Sequence, residues 1–189
     1  NLHILVVTRR CNETCVYCHA SRASMNETST DMSLATAERA VEMALSSTSP
    51  GVTIEFQGGE PLAAFDVVRH AIEHALEKNR AYGKALDFTL VTNLSLMDEE
   101  KLAYLLDNRV QLCTSIDGPE HLHDKQRKLP GLSAGDSYTF EGDEHGATEF
   151  FLIRQFRQVL VDGGSPDDCR AHTGLSQGPA GRSRILAPA

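Results

Sequence analysis

No apolar run in this chain approaches the length of a membrane span; Ile4-Leu5-Val6-Val7, near the start, suits a buried strand. No membrane role is therefore expected. Basic charge is scarce: 18 Lys and Arg against 26 Asp and Glu leave a net charge of −8. That balance argues against a broad nucleic-acid or anionic-membrane surface. Tryptophan is absent, and no internal repeat of solenoid length is evident. No signal peptide is visible, although the chain opens on Asn1 rather than Met, which points to a missing N-terminal segment. A disulfide framework is not indicated either. The five cysteines are an odd number, and Cys11, Cys15 and Cys18 crowd into one short stretch away from Cys113 and Cys169. Such a cluster reads as a metal or iron–sulfur site in a reducing, cytoplasmic compartment. What is present is an ordinary apolar fraction and, at 189 residues, enough chain for one domain with its own core.

The pattern alternates strand and helix. Residues 3–8 (HILVVT) are short, apolar and β-branched, as expected of a fully buried parallel strand. A polar loop from Arg9 to Met32 follows. Ser33 caps a helix to about Ser47 that turns Leu34, Ala37, Val41 and Ala44 inward. Val52 to Phe56 reads as a second strand ending in Gly58-Gly59-Glu60-Pro61. Asp66 then caps a helix with Val68, Ile72, Ala75 and Leu76 inward, ending near Gly83. A third strand, Leu86 to Val91, leads to Thr92-Asn93. Asp98 caps a third helix with Leu102, Leu105 and Leu106 as its stripe. Val110 to Ile116 is the fourth strand, closed by Asp117-Gly118-Pro119. The predicted fold class is α/β, a parallel partial (β/α)6 barrel of the TIM type, with right-handed crossovers. In such folds, ligands bind at the C-terminal ends of the strands, where every unusual polar motif of this chain falls.

The alternation stops near Pro130. Nine of the fourteen glycines lie beyond it, so residues 1–130 are assigned to the core and 131–189 to an atypical, Gly-rich tail, disordered or misread, in which only Glu149 to Val161 suggests a helix.

Cys11-Asn12-Glu13-Thr14-Cys15-Val16-Tyr17-Cys18 has the spacing CxxxCxxC. Thiolates bind iron–sulfur clusters, normally four to a [4Fe–4S] cube, so three ligands leave one iron open to a cofactor or substrate. Other readings of the same residues stand beside it. A structural zinc site would use the three cysteines and His19. An electron-transfer cluster would recruit Cys113 or Cys169. Cys15-Val16-Tyr17-Cys18-His19 also matches the c-type haem attachment pattern C-x-x-C-H, which leaves Cys11 unexplained. His70 and His74, one helical turn apart, read as residues of a solvated face, and His19 and His123 as hydrogen-bond donors near the cluster. Cys113 reads as a small buried apolar residue.

Over residues 2–130 the chain resembles the radical S-adenosylmethionine (SAM) superfamily. The three-cysteine loop after strand one, with Tyr17 before the third cysteine, is similar to that superfamily's cluster motif. Gly58-Gly59-Glu60-Pro61 is similar to its GGEP motif, and Thr92-Asn93 to its TNG segment, with Leu94 in place of the glycine. Ser115-Ile116-Asp117-Gly118-Pro119, with His123-Asp124 and Arg127, resembles the SPASM-type and anaerobic sulfatase-maturase peptide-modifying enzymes. Cys18-His19-Ala20-Ser21-Arg22 with the Glu55–Leu62 stretch most resembles the His-Xaa-Ser system maturase.

That resemblance implies a [4Fe–4S] cluster on Cys11, Cys15 and Cys18, with SAM on the open iron. It implies cofactor contacts from Tyr17, Gly58, Gly59, Glu60, Pro61, Asn93, Ser115, Asp117 and Arg127. Glu60 would pair with the SAM ammonium, Ser115 or Asp117 with the ribose, and Arg127 with the carboxylate. Loss of the Glu60 charge is then expected to weaken SAM binding about tenfold to a hundredfold. The implied reaction is reductive cleavage of SAM to a 5′-deoxyadenosyl radical that modifies a precursor peptide, one bearing His-Xaa-Ser repeats in the closest reading. A low-potential electron donor is implied; nucleic acid and membrane are not. The later strands and Cys-rich extension of those relatives are missing, so the chain is expected to be a fragment without full activity.

Overall fold

The computed structural model describes residues 1–115, 117 and 120–130, and the short strand pieces 141–142, 148–149, 175–177 and 183–185. It divides into two compact units. The first comprises Asn1–Asn12 and Cys18–Ser115, the second Glu13–Tyr17 and Ile116–Ala189.

The first unit is a four-stranded parallel sheet in the order β1-β2-β3-β4, from Leu2–Thr8, Gly51–Gly58, Ala85–Val91 and Val110–Cys113. Three helices connect the strands: α1 (Leu34–Leu45), α2 (Phe65–Tyr82) and α3 (Glu99–Asp107). The register aligns Leu5, Phe56, Leu90 and Leu112 in one row and His3, Ile54, Phe88 and Val110 in the next. Val52, Ile54, Phe56, Leu90 and Val110 from these strands are fully buried, as are Val41, Ala44, Leu45, Val68, Ala71 and Ile72 from α1 and α2. A parallel (β/α) architecture, with four strands in this sheet among the described residues, is what the sequence pattern predicted.

The caps follow from local chemistry. Ser33 accepts from the Thr36 amide and Asp98 from the Lys101 amide, each satisfying a donor that the first helical turn leaves orphaned. Gly83 ends α2 in the left-handed conformation, φ 62°. Asp66 is not a cap. The chain enters α2 directly from a 3₁₀ turn at Pro61–Ala64, which puts Asp66 in the first helical turn, where its charge suits the helix dipole.

Other expectations are corrected by which face is covered. β1 is an edge strand and is not buried on both sides: Ile4 and Val6 remain 51% and 53% exposed while Leu5 and Val7 are buried. On that open face the register sets Ile4 beside Glu55, Thr89 and Gln111, a polar row unsuited to a core. Leu34 and Leu76 are exposed because they fall at the margins of their helical stripes. The fourth strand ends at Cys113, short of Ile116, and Cys113 is exposed on this other edge strand. His70 and His74 do not lie on a solvated face. They reach Glu38 (2.9 Å) and Glu42 (3.4 Å) across the α1–α2 seam.

In the second unit, α4 spans Glu120–Gln126, a helix the sequence pattern did not suggest. Two antiparallel pairs follow: β5 (Glu141–Gly142) with β6 (Thr148–Glu149), and β7 (Leu175–Gln177) with β8 (Ser183–Ile185). Glu149 therefore opens no helix; the rest of the helix suggested to Val161, and Cys169, lie outside the described residues.

The loop that carries the cysteines is anchored just after β1. Arg10 grips Asp31 through two parallel bonds, Nε to Oδ1 (2.8 Å) and Nη2 to Oδ2 (2.6 Å), and donates to the Ala63 carbonyl. Thr8 also donates its hydroxyl to Asp31 (2.6 Å). Burial raises the pKa of Asp31, but these donors outweigh it and hold the carboxyl below its ordinary value. A lowered folded-state pKa contributes stability above the unfolded value of 3.8 and loses it as pH falls through the folded value. Asp31→Asn is expected to cost about 1–3 kcal/mol at pH 7. Denaturant unfolding of parent and variant should show that gap closing in acid; a gap independent of pH would contradict the ion pair.

Candidate functional site

The C-terminal ends of β1 and β2 meet through backbone. Gly59 N–H donates to the Thr8 carbonyl (2.9 Å) and Glu60 N–H to the Arg10 carbonyl (2.7 Å). A Cβ on Gly58 or Gly59 would overlap the Thr8, Arg9 and Arg10 backbone, and Gly58 also sits at φ 153°. The two glycines are thus explained first by this crossing, one residue ahead of Cys11. Pro61 is buried at the start of the 3₁₀ turn.

Glu60 is the fully buried acid of the first unit, at 0% exposure. Its Oε1 accepts from the Leu62 amide (3.0 Å) and the Thr92 hydroxyl (2.7 Å), and its Oε2 from the Asn93 amide (2.7 Å). A buried carboxylate needs such donors to remain in place. These donors belong to the backbone just after Glu60 and to the segment past β3, so the carboxylate has partners within the protein itself. Thr92 in turn accepts from the Leu94 amide (3.0 Å). Leu94 sits at φ 65°, a left-handed conformation that favours glycine, so the leucine here carries strain.

Asn93 relays this support to the cysteine loop. Its side-chain amide donates to Asn12 Oδ1 (3.1 Å) and lies 4.0 Å from the Cys11 sulfur, while its Oδ1 accepts from the Ser95 amide and hydroxyl. Asn12 closes the ring by donating to Ser95 Oγ (2.6 Å). The ends of β1, β2 and β3 are therefore joined by one hydrogen-bonded chain, Glu60 to Asn93 to Asn12 and Cys11. Asn12 and Ser95 were not assigned roles from sequence, because short polar residues in loops carry no distinguishing pattern; Thr92 was marked only as part of the TNG-like segment.

A second group forms within the second unit. The Thr14 amide donates to the Lys128 carbonyl (2.7 Å) and the Val16 amide to the Gln126 carbonyl (2.9 Å). Arg127 reaches Glu13 (3.6 Å) and Asp117 (3.2 Å), stands over the Tyr17 ring at 5.5 Å, and points Nη1 at the Cys15 sulfur at 4.0 Å. Tyr17 donates its hydroxyl to Asp117 (2.6 Å); burial and that bond push its pKa up to about 12, so it stays protonated. Glu13, 2% exposed, accepts from the Cys15 thiol (3.3 Å); burial raises its pKa, partly offset by Cys15 and Arg127. Tyr17, Asp117 and Arg127, each named by resemblance as a cofactor contact, meet here as partners of one another. Glu13 was missed: a lone acid in a loop gives no signal until an arginine is found opposite it. His123, on α4, is buried, and burial with the nearby Arg127 charge lowers its pKa.

Ser115 is exposed just past β4, His19 is exposed, and Ile116, Gly118 and Pro119 lie outside the described residues. Cys11 is buried, Cys15 half-buried and Cys18 exposed, and none of the three is joined to another cysteine in a disulfide. Among the described residues no group of three His, Cys, Asp or Glu side chains is gathered to hold a metal ion. The cysteines' case as ligands rests on spacing and donor chemistry: three thiols in one loop, with N–H groups 4.0 Å from two of the sulfurs. That chemistry fits an iron–sulfur cluster, whose sulfurs accept such bonds.

Glu60→Gln tests the internal role of this acid. The amide replaces one acceptor oxygen with a donor that faces other donors, so the metal-free chain should lose about 1.5–3 kcal/mol of unfolding free energy. Unchanged denaturant stability would show that Glu60 serves a ligand alone.

A family model described as the radical SAM superfamily matches residues 5–136. The chain is 31% identical over 123 residues to the serine-type anaerobic sulfatase-maturating enzyme of Bacteroides thetaiotaomicron, covering 62% of this chain and 29% of that enzyme. The solved structure of native anSMEcpe with bound AdoMet superposes with a TM-score of 0.59 at 27% identity, covering 68% of this chain and 35% of that one. The same enzyme with AdoMet and the Cp18Cys peptide gives 0.57 at 27% identity, covering 68% and 34%. The chain thus spans about a third of the length of these relatives.

Proposed function

We propose a function that follows from kinship: this chain belongs to the radical SAM superfamily. Membership implies a [4Fe–4S] cluster and SAM as cofactors. In our reading Cys11, Cys15 and Cys18 ligate the cluster, and the chain is the cofactor-binding part of an enzyme that modifies a peptide or protein. When bound, the cluster supplies the electron that cleaves SAM to methionine and a 5′-deoxyadenosyl radical.

The observation that carries this reading is the hydrogen-bonded joining of three strand ends at Cys11. Glu60 holds the Asn93 segment, Asn93 holds Asn12 and faces the sulfur, and the Gly58-Gly59 crossing fixes the backbone just before Cys11. A loop so braced keeps a ligand in place while its neighbours rearrange. Gly58, Gly59, Pro61 and Asn93 shape the side on which SAM would sit, and the Glu60 carboxylate supports that surface from within. Tyr17, Ser115, Asp117 and Arg127 complete the proposed cofactor contacts.

The peptide substrate is supported by the sulfatase-maturating relative and by the peptide-bound structure of anSMEcpe. A His-Xaa-Ser repeat precursor, a low-potential reductant and a cytoplasmic setting belong to the same proposal. Among the described residues no helix is long and apolar enough to cross a membrane. The family match gives no support to the zinc, electron-transfer or haem readings of Cys15, Cys18 and His19.

Replacing Cys11, Cys15 or Cys18 singly with Ala should abolish stable cluster loading on anaerobic reconstitution, since each supplies one of only three protein ligands. Iron and sulfide analysis with the visible spectrum reads the outcome. Parent-like iron in all three variants, a sharp haem Soret band, or zinc in place of iron would overturn the assignment.

A further inference from the structure

Glu13 has no role in the proposed cofactor contacts, yet it is the buried acid of the cysteine loop. It lies between two ligand positions, at 2% exposure, with its carboxylate on both the Cys15 thiol and the Arg127 guanidinium. Burying a charge is costly unless a partner compensates it, and removing one partner of a buried pair leaves the other uncompensated. Arg127 is in turn held by Asp117 at 3.2 Å and by the Tyr17 ring at 5.5 Å, which fixes its direction. Its other end points at the Cys15 sulfur. The backbone agrees with the side chains. Thr14 and Val16, on either side of Cys15, donate to the Lys128 and Gln126 carbonyls on either side of Arg127.

We propose that Glu13 and Arg127 form an ion-pair clasp that positions Cys15 and sets the charge facing its sulfur. Besides its proposed cofactor contact, Arg127 is then a positioning residue of the cysteine loop, held by Glu13 and Asp117. The inference rests on Cys15 being a cluster ligand, and lies wholly within the second unit. Its electrostatic consequence has a definite sign. A guanidinium beside a ligand sulfur stabilises the reduced, more negative cluster, and a carboxylate beside the same sulfur opposes it.

Three variants of the chain test this: Glu13→Gln, Arg127→Met and the double substitution. In the metal-free chain, amide exchange at Thr14 and Val16 should accelerate about tenfold or more in each single variant. The double variant should be milder than the two effects combined, because neither Glu13 nor Arg127 is then left facing the other's absence, while Asp117 keeps the Tyr17 hydroxyl. After anaerobic reconstitution without SAM, an EPR-monitored redox titration should move the cluster midpoint upward for Glu13→Gln and downward for Arg127→Met. Unchanged exchange in either single variant, effects that simply add, or midpoints that move in the same direction would overturn the clasp. A parent chain that takes up no iron would instead sink the cluster reading, and the exchange measurements would still decide whether the clasp exists.

Discussion

The first unit depends on one buried carboxylate. Glu60 sits just past β2, out of water, and is made tolerable there by hydrogen bonds from Leu62, Thr92 and Asn93. Those donors lie on two strand ends, so satisfying the charge also fixes the end of β3 relative to the end of β2. Asn93 then orients Asn12 and faces Cys11, and the chain of bonds returns to β1. The glycine pair completes the same constraint from the backbone side, since any side chain at Gly58 or Gly59 would push β2 away from Thr8–Arg10. A surface acid could not do this: in water its bonds would exchange freely and carry little directional information.

The second unit solves a related problem with opposite charges. Its Glu13 is buried beside a thiol, and the compensating Arg127 is placed by a helix more than a hundred residues further along the chain. Four of the residues involved, Glu13, Tyr17, Asp117 and Arg127, use their polar atoms mainly on each other. Sequence resemblance had marked three of them as cofactor contacts. In the structure these side chains hold one another beside Cys15.

Helix starts at Ser33 and Asp98 and the helix end at Gly83 were legible because capping is a local matter of one side chain and a few backbone groups. The strand–helix alternation was legible for the same reason. The errors have a common origin in tertiary context. Ile4, Val6 and Cys113 were read as buried from their apolar character, but they lie on strands at the edges of the sheet, and β1 turns Ile4 and Val6 to a face whose neighbouring row is Glu55, Thr89 and Gln111. His70 and His74 were read as solvated from their polarity, but the α1–α2 seam supplies Glu38 and Glu42.

By itself the sequence determined the family, the parallel α/β pattern and the three cysteines, because these are carried by residue type at fixed spacing. Thiolate chemistry, glycine at a close crossing and apolar periodicity hold whatever surrounds them. Only the tertiary structure decided what the charged residues do. A carboxylate or guanidinium is defined by its partner and its exposure, and those are set by distant segments. Hence Glu60 turned inward to Thr92 and Asn93, Arg127 turned to Glu13 and Asp117, and Glu13 gained a role that its position in the loop alone did not disclose.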